Sequence, residues 1–198
     1  MRLQYAILIL VGLAAAGCDA GRPATQPLVP DPPTPAGPAG SVDSPQYANW
    51  AGFPVGATVV HRSVTRAEDQ PGETVTTTTH TLVEVAADHV VVEMGTVTRR
   101  FDGLETKNPP DRYTHPRLVP RVADGRPAES GEAIVTAAGK QFRAKWRKGT
   151  DRNEAGQVFT QVWSSPEVPG GLVKAVMRTP DVGKTTTTEL MEVQIPAG

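Results

Sequence analysis

The chain has 198 residues, with 20 Lys and Arg against 21 Asp and Glu, so its formal charge is −1 at neutral pH. This balance gives neither the basic field that nucleic acid binding requires nor a strongly acidic surface for cationic partners. The length suits one domain, and we expect no nucleic acid partner.

The first 17 residues are predicted to be a lipoprotein signal peptide. A basic Met1-Arg2 precedes an apolar run over residues 3–16, which is shorter than the about 20 residues that span a bilayer. Cys18, the only cysteine, follows directly after Ala-Ala-Gly, an order that resembles the bacterial lipobox. This predicts acylation of Cys18, with an acyl chain such as palmitate, and a membrane-anchored protein that faces the periplasm or the cell exterior. An ordinary signal peptide with a coincidental cysteine is the alternative.

Residues 18–45 are rich in Pro, Ala, Gly and Thr and cannot bury enough apolar surface to fold. We interpret them as a disordered tether that holds a domain, residues 46–198, away from the bilayer. A docking site for a proline-recognising module is the other interpretation.

A short helix is predicted where this tether ends. Ser44 is a suitable N-cap and Pro45 suits the first turn. Tyr47 and Trp50 then share a helix side, and Gly52 ends the helix.

After residue 56 the hydrophobic period changes to two, which is typical of strands. Turn residues separate the runs at hairpin spacing. The pattern predicts an all-β domain, a single curled antiparallel sheet or open half-barrel of about eight strands with one short N-terminal helix. The predicted strands are residues 57–66, 73–86, 89–99, 132–138, 140–148, 157–163, 172–178 and 185–195.

Two hairpins carry register predictions. A two-residue turn at 87–88 sets Val85 opposite Val90, Val83 opposite Val92, and His80 opposite Gly95. In the second hairpin, alternation places Phe142, Ala144 and Trp146 on one buried side. A helix over residues 134–146 competes, because apolar residues there also recur every four positions; the glycine at 139 favours strands.

Three further segments stand out. Residues 102–131 are predicted to be a long crossover or lid, with an anion or peptide site as the alternative.

The threonine runs 76–79 and 185–188 suit a solvated strand surface. A flat threonine lattice that binds ice or carbohydrate would need more strands than these two. The loop 165–171 contains Pro166 and Pro169, which stop strand pairing; Val168 either packs on the end of the core or forms the rim of an apolar cavity.

No constellation of catalytic or metal-ligating residues emerges. The four histidines lack the close spacing of a metal site and are predicted to be surface or edge residues. A Gly-x-Ser-x-Gly elbow and a glycine-rich phosphate loop before a helix are missing from the sequence. We expect no cofactor.

A resemblance adds to this interpretation. The segments YANWAGFPVGATV, GEAIVTAAGKQFRAKWRK and QVFTQVWSSPEVPGGLVK are similar to a family of uncharacterised planctomycete-type secreted lipoproteins, over residues 47–193. The strand layout distantly resembles the half-barrel lipoprotein carriers of the LolA/LolB type, which implies a sheet that holds acyl chains.

These observations predict a non-enzymatic, lipid-anchored binding or scaffold module of the cell envelope. An apolar small molecule or acyl chain is expected to bind near Phe142, Trp146, Trp163 and Val168. The alternatives are an envelope hydrolase whose site, for instance around His115 or a carboxylate pair, assembles only in the fold, and a purely structural partner of another envelope protein.

Overall fold

A computed structural model describes residues 40–121 and 129–197. The predicted signal peptide, Cys18 and the tether as far as residue 39 lie outside these residues. The described elements are β1 (Ser41–Asp43), α1 (Pro45–Ala51), β2 (Thr58–Ala67), β3 (Glu73–Val85), β4 (His89–Arg99), β5 (Glu105–Pro116), β6 (Leu118–Pro120), β7 (Glu129–Ala137), β8 (Lys140–Asn153), β9 (Gly156–Ser164), β10 (Leu172–Thr179), a 3₁₀ turn (Pro180–Val182) and β11 (Lys184–Gln194).

One open antiparallel sheet of nine strands dominates the described residues, in the order β5-β4-β3-β2-β11-β10-β9-β8-β7. All eight predicted strands are present, and α1 is the one α-helix among the described elements. The all-β prediction is therefore confirmed, as an open sheet. The strand alternative over residues 134–146 is also confirmed, since β7 and β8 pair from Glu129 opposite Lys148 to Ala137 opposite Lys140.

The prediction of a long structureless connection over residues 102–131 is wrong. Residues 105–116 form β5, an exposed edge strand that pairs with β4. The prolines hid this strand, because proline cannot donate to a ladder but is tolerated at a sheet edge. Pro109 and Pro110 fall where the pairing shifts between Met94 and Thr96. Residues 122–128 lie outside the described part of the chain.

The range assigned to the tether also contains structure. Ser41–Asp43 forms β1, which pairs with Leu118–Pro120 of β6 in a separate two-stranded sheet. Pro45 begins α1, and the Ser44 side chain caps this helix by accepting from the backbone N–H of Tyr47. The stretch from Ser41 to Pro45 therefore belongs to the folded domain.

A bulge corrects the predicted register of the first hairpin. Val85 lies opposite Val90 as predicted, but the pairing shifts between Leu82 and Glu84. Leu82, not Val83, therefore faces Val92. In consequence His80 lies opposite Met94 and not Gly95, because a one-residue shift moves every later pair.

The core lies at the end of the sheet that α1 covers. Trp50 of α1 packs with Val59, Leu82 and Leu190, and each of these four side chains is at most 6% exposed. Burying one such side chain stabilises the fold by about 1.5–3 kcal/mol. This end of the sheet is therefore closed by residues of the protein itself.

The loop 165–171 completes this core. Val168 is fully buried in the cluster, which confirms the simpler interpretation of the loop. Gly170 has φ +75°, and a Cβ there would lie 2.8 Å from Cζ2 of Trp50. Glycine is thus required at this position both for its backbone conformation and for the close approach of the indole ring.

Candidate functional site

The strand register defines two sides of the large sheet. Residues directly opposite each other in an antiparallel pair have their side chains on the same side. We call the side that includes Val59 of the core the helix side; alternation along β2 puts His61 and Ser63 there too. The other side, which includes Arg62 of β2, we call the opposite side.

Beyond the core, the helix side carries rows of hydroxyl groups. One row runs across five adjacent strands, and its members are Thr106, Thr98, Thr76, Ser63 and Thr188. Two of its pairs are hydrogen-bonded, Ser63–Thr188 at 2.8 Å and Thr76–Thr98 at 3.2 Å. The row thus extends hydroxyl groups to β2, β4 and β5, beyond the two strands that carry the threonine runs. We call these five residues the hydroxyl row.

A different row crosses the opposite side. It runs over eight adjacent strands, from the two tryptophans at one end to a lysine at the other. In order, its members are Trp146, Trp163, Lys174, Glu189, Arg62, Thr77, Val97 and Lys107. Lys148 and Lys174 lie 5.6 and 6.0 Å from the ring centroids of Trp146 and Trp163 respectively, within the range of cation–π attraction.

An apolar groove of about 370 Å³ lies between the tip of the β7–β8 hairpin and the paired segments of β10 and β11 around Lys174 and Glu189. Apolar side chains line it both from the hairpin and from the two strands. Its charged lining residues are Lys174 and Glu189. Its volume is within the range of about 300–1,000 Å³ that is usual for small-molecule sites. The apolar lining residues are Val135, Ala137, Ala138, Val173, Leu190 and Met191.

A second groove, of about 240 Å³, spans β2 to β5 on the opposite side of the sheet. Its lining is mainly polar and includes Arg62, Thr77, Arg99 and Glu105. Glu189 of the apolar groove lies directly opposite Arg62 in the β11–β2 pairing, so the linings of the two grooves are neighbours at this pair of strands. We call the second one the arginine groove.

The structure separates the four residues predicted to bind a ligand. Phe142 and Val168 are in the packed core, 5% and 0% exposed. Phe142 precedes Lys145, the residue at which β8 begins to pair with β9. It therefore lies in the part of β8 that has no β9 partner. Trp146 and Trp163 lie directly opposite each other and are half-buried. A ligand role for these residues stays a prediction.

The prediction that all four histidines are surface or edge residues is wrong for His61, which is 5% exposed. Its Nε2 donates to the carbonyl oxygen of Leu172, 2.9 Å away, because a carbonyl only accepts. The ring of His80 lies edge-on to the ring of His61, with 5.8 Å between their centroids. The Nδ1 atoms of His61 and His80 are buried and make no hydrogen bond to another described residue.

Burial sets the protonation of this pair. It lowers the pKa of His61, although the bond to Leu172 opposes the shift. Burial also lowers the pKa of His80, to about 4, with smaller contributions from the positive charges that His61 and His115 would carry. Both rings are therefore neutral at pH 7. His115 is half-buried, which lowers its pKa, and it makes no hydrogen bond to another described side chain.

Within residues 40–121 and 129–197, no three His, Cys, Asp or Glu side chains are grouped closely enough to hold a metal ion. Among those same residues, no helix is long and apolar enough to cross a membrane.

Comparisons with known proteins find distant structural alignments at low identity. No family model matches the chain, and no curated protein matches it. A crystal structure of a "putative lipoprotein" from Parabacteroides distasonis aligns with a TM-score of 0.46 and 10% identity, covering 75% of this chain and 99% of that one. A "putative exported protein" with a YmcC-like fold from Bacteroides fragilis aligns with a TM-score of 0.45 and 6% identity, covering 72% and 97%.

A "putative outer membrane lipoprotein-sorting protein domain" from Vibrio parahaemolyticus aligns less closely, with a TM-score of 0.26 and 8% identity over 72% of this chain and 86% of that one. At these levels the alignments carry no argument about function. The resemblance to planctomycete-type lipoproteins stays a prediction.

Proposed function

We propose that this protein is a non-enzymatic module of the bacterial cell envelope, anchored by a lipid on Cys18, that binds an apolar ligand or acyl chain. The observation that carries the proposal is the apolar groove between the β7–β8 hairpin and β10–β11. The core under α1 is filled by the protein's own side chains. The apolar groove lies at the edge of this core, and Val173 and Leu190 belong to both, so a ligand would bind against the outside of the core and not within it.

The half-buried Trp163 supports the same location. It lies directly opposite Lys174, and Lys174 lines the apolar groove. An aromatic ring next to an apolar groove offers further surface for a chain that extends beyond it. Of the four residues that the sequence predicted to bind a ligand, we retain Trp146 and Trp163. Phe142 and Val168 are buried in the core.

Mass spectrometry of lipids extracted from the purified full chain tests the proposal. We expect an acyl-containing compound in the native protein, and its loss in a variant that fills the groove, Ala137→Trp. The matched control is Ile134→Trp, because Ile134 lies on the same strand, is 71% exposed and does not line the groove. The absence of any co-purifying lipid in repeated native preparations, or equal recovery from Ala137→Trp, would contradict the proposal. The anchor is tested separately, because Cys18→Ala should release the protein from membranes.

A further inference from the structure

The arginine groove suggests what kind of apolar ligand the protein takes. It adjoins the apolar groove, because Glu189 of one lies directly opposite Arg62 of the other. Opposite residues in an antiparallel pair are about 4.5–5.5 Å apart at Cα. A chain of several carbon atoms is therefore long enough to reach from one lining to the other.

Most acidic side chains on the opposite side of the sheet are already paired. Glu189 binds Lys174 with an Nζ–Oε1 distance of 2.8 Å. Glu73 pairs with Arg66, and Glu93 pairs with Arg112.

Two cations of the arginine groove remain without such a partner. Neither Arg62 nor Arg99 makes an ion pair with another described residue. Glu105 is the one acidic residue that lines this groove. Two guanidinium groups thus face one carboxylate, which leaves an excess of positive charge.

The groups in the groove suit an oxyanion. Guanidinium presents several N–H donors in a planar fork that matches the oxygens of a carboxylate or phosphate. Thr77 lies directly opposite Arg62 and adds a hydroxyl donor. Val75 and Val97 form the apolar part of the lining, and the two arginines beside them are exposed, so their guanidinium groups are accessible to a ligand.

We propose that Arg62, Arg99 and Thr77 bind the carboxylate or phosphate head group of an anionic amphiphile whose apolar chain lies in the adjoining apolar groove. This inference rests on the proposed function, because it assigns the head group of the ligand that the apolar groove holds.

Binding of three probes to the purified full chain, in detergent-free buffer, tests it: dodecyl phosphate, dodecanol and inorganic phosphate. We expect dodecyl phosphate to bind most tightly. The double variant Arg62→Gln with Arg99→Gln should lower the affinity for dodecyl phosphate by roughly tenfold to a hundredfold. It should leave the affinity for dodecanol unchanged. The matched control, Arg143→Gln with Arg152→Gln, removes the same charge from two exposed positions outside both grooves and should change neither.

The outcomes separate the two proposals. If dodecanol binds as tightly as dodecyl phosphate, or the double arginine variant keeps wild-type affinity for both, the head-group inference fails while the proposed function stands. If inorganic phosphate binds as tightly as dodecyl phosphate, the arginine groove is a free-anion site and the amphiphile is wrong. If neither amphiphile binds, the proposed function fails and this inference fails with it.

Discussion

The two ends of the helix side of the sheet share the same strands and the same alternation, yet they differ in what covers them. At the core end, Val59 and Leu82 are buried beneath Trp50 and Val168. At the other end, Thr76 and Thr98 hold equivalent positions on β3 and β4 but are half-buried and bond to each other. Alternation thus says which residues share a side, and residue type decides whether that side is packed or wet.

Stability should therefore be concentrated at the core end. Hydrophobic burial supplies most of the favourable free energy of folding, and the core cluster of the described residues lies at this end. The hydroxyl row contributes mainly hydrogen bonds, whose net value is about 1 kcal/mol each because water competes for them. Three predictions test this division, from the largest expected effect to the smallest.

Trp50→Ala should lower the free energy of unfolding by about 3–5 kcal/mol, because it leaves a cavity under α1 where the ring packs on Gly170. Urea denaturation measures the change. The control is Val55→Ala, since Val55 is 55% exposed, and it should cost less than about 0.5 kcal/mol. A loss below about 1 kcal/mol for Trp50→Ala would show that the core does not depend on this ring.

Acid should loosen the core end before it affects the hydroxyl row. The pKa of His80 is lowered to about 4 from 6.5, so between these values the unfolded chain binds more protons than the folded one. Stability from this residue is thus fully present above pH 6.5 and is lost as the pH falls towards 4. The loss should reach about 3 kcal/mol, at 1.36 kcal/mol per pKa unit, with a further loss in the same direction from His61.

Urea denaturation at several pH values between 6.5 and 4 measures this effect. His80→Gln should flatten the dependence, whereas His89→Gln should keep it, because His89 is paired with Asp88 and its pKa is raised. An identical pH dependence in wild type and His80→Gln would refute the assignment to His80.

The hydroxyl row should be the least sensitive region. Thr76→Val with Thr98→Val removes both partners of one hydrogen bond and keeps their shape, so we expect a change within about 0.5 kcal/mol. The reciprocal swap Val59→Thr buries a hydroxyl in the core and should cost about 1–3 kcal/mol. Equal effects from the two swaps, measured by urea denaturation, would mean that the two ends do not differ as described.

Much of the fold was predictable because local alternation specifies strands. The eight strands with period-two patterns were found, and so was the helix that begins at Pro45. The edge strand β5 was missed because its prolines suit an edge but argue against a strand in sequence. The bulge after Leu82 was missed because nothing in the local pattern marks one extra residue.

The candidate site was harder to predict because it depends on pairing between distant segments. The junction of the two grooves requires β11 to lie beside β2, with Glu189 opposite Arg62. Alternation predicts each strand separately but does not say which distant strands are neighbours. Similarly, His61 is polar and was expected at the surface, whereas its bond to Leu172 allows it to be buried.

Photo-crosslinking with a diazirine-bearing fatty acid, followed by peptide mapping of the full chain, tests the central claim most directly. The account predicts adducts at residues 135–139 and 189–191, which line the apolar groove. Adducts concentrated at the hydroxyl row, or labelling spread evenly over the sheet as in a heat-unfolded control, would contradict it.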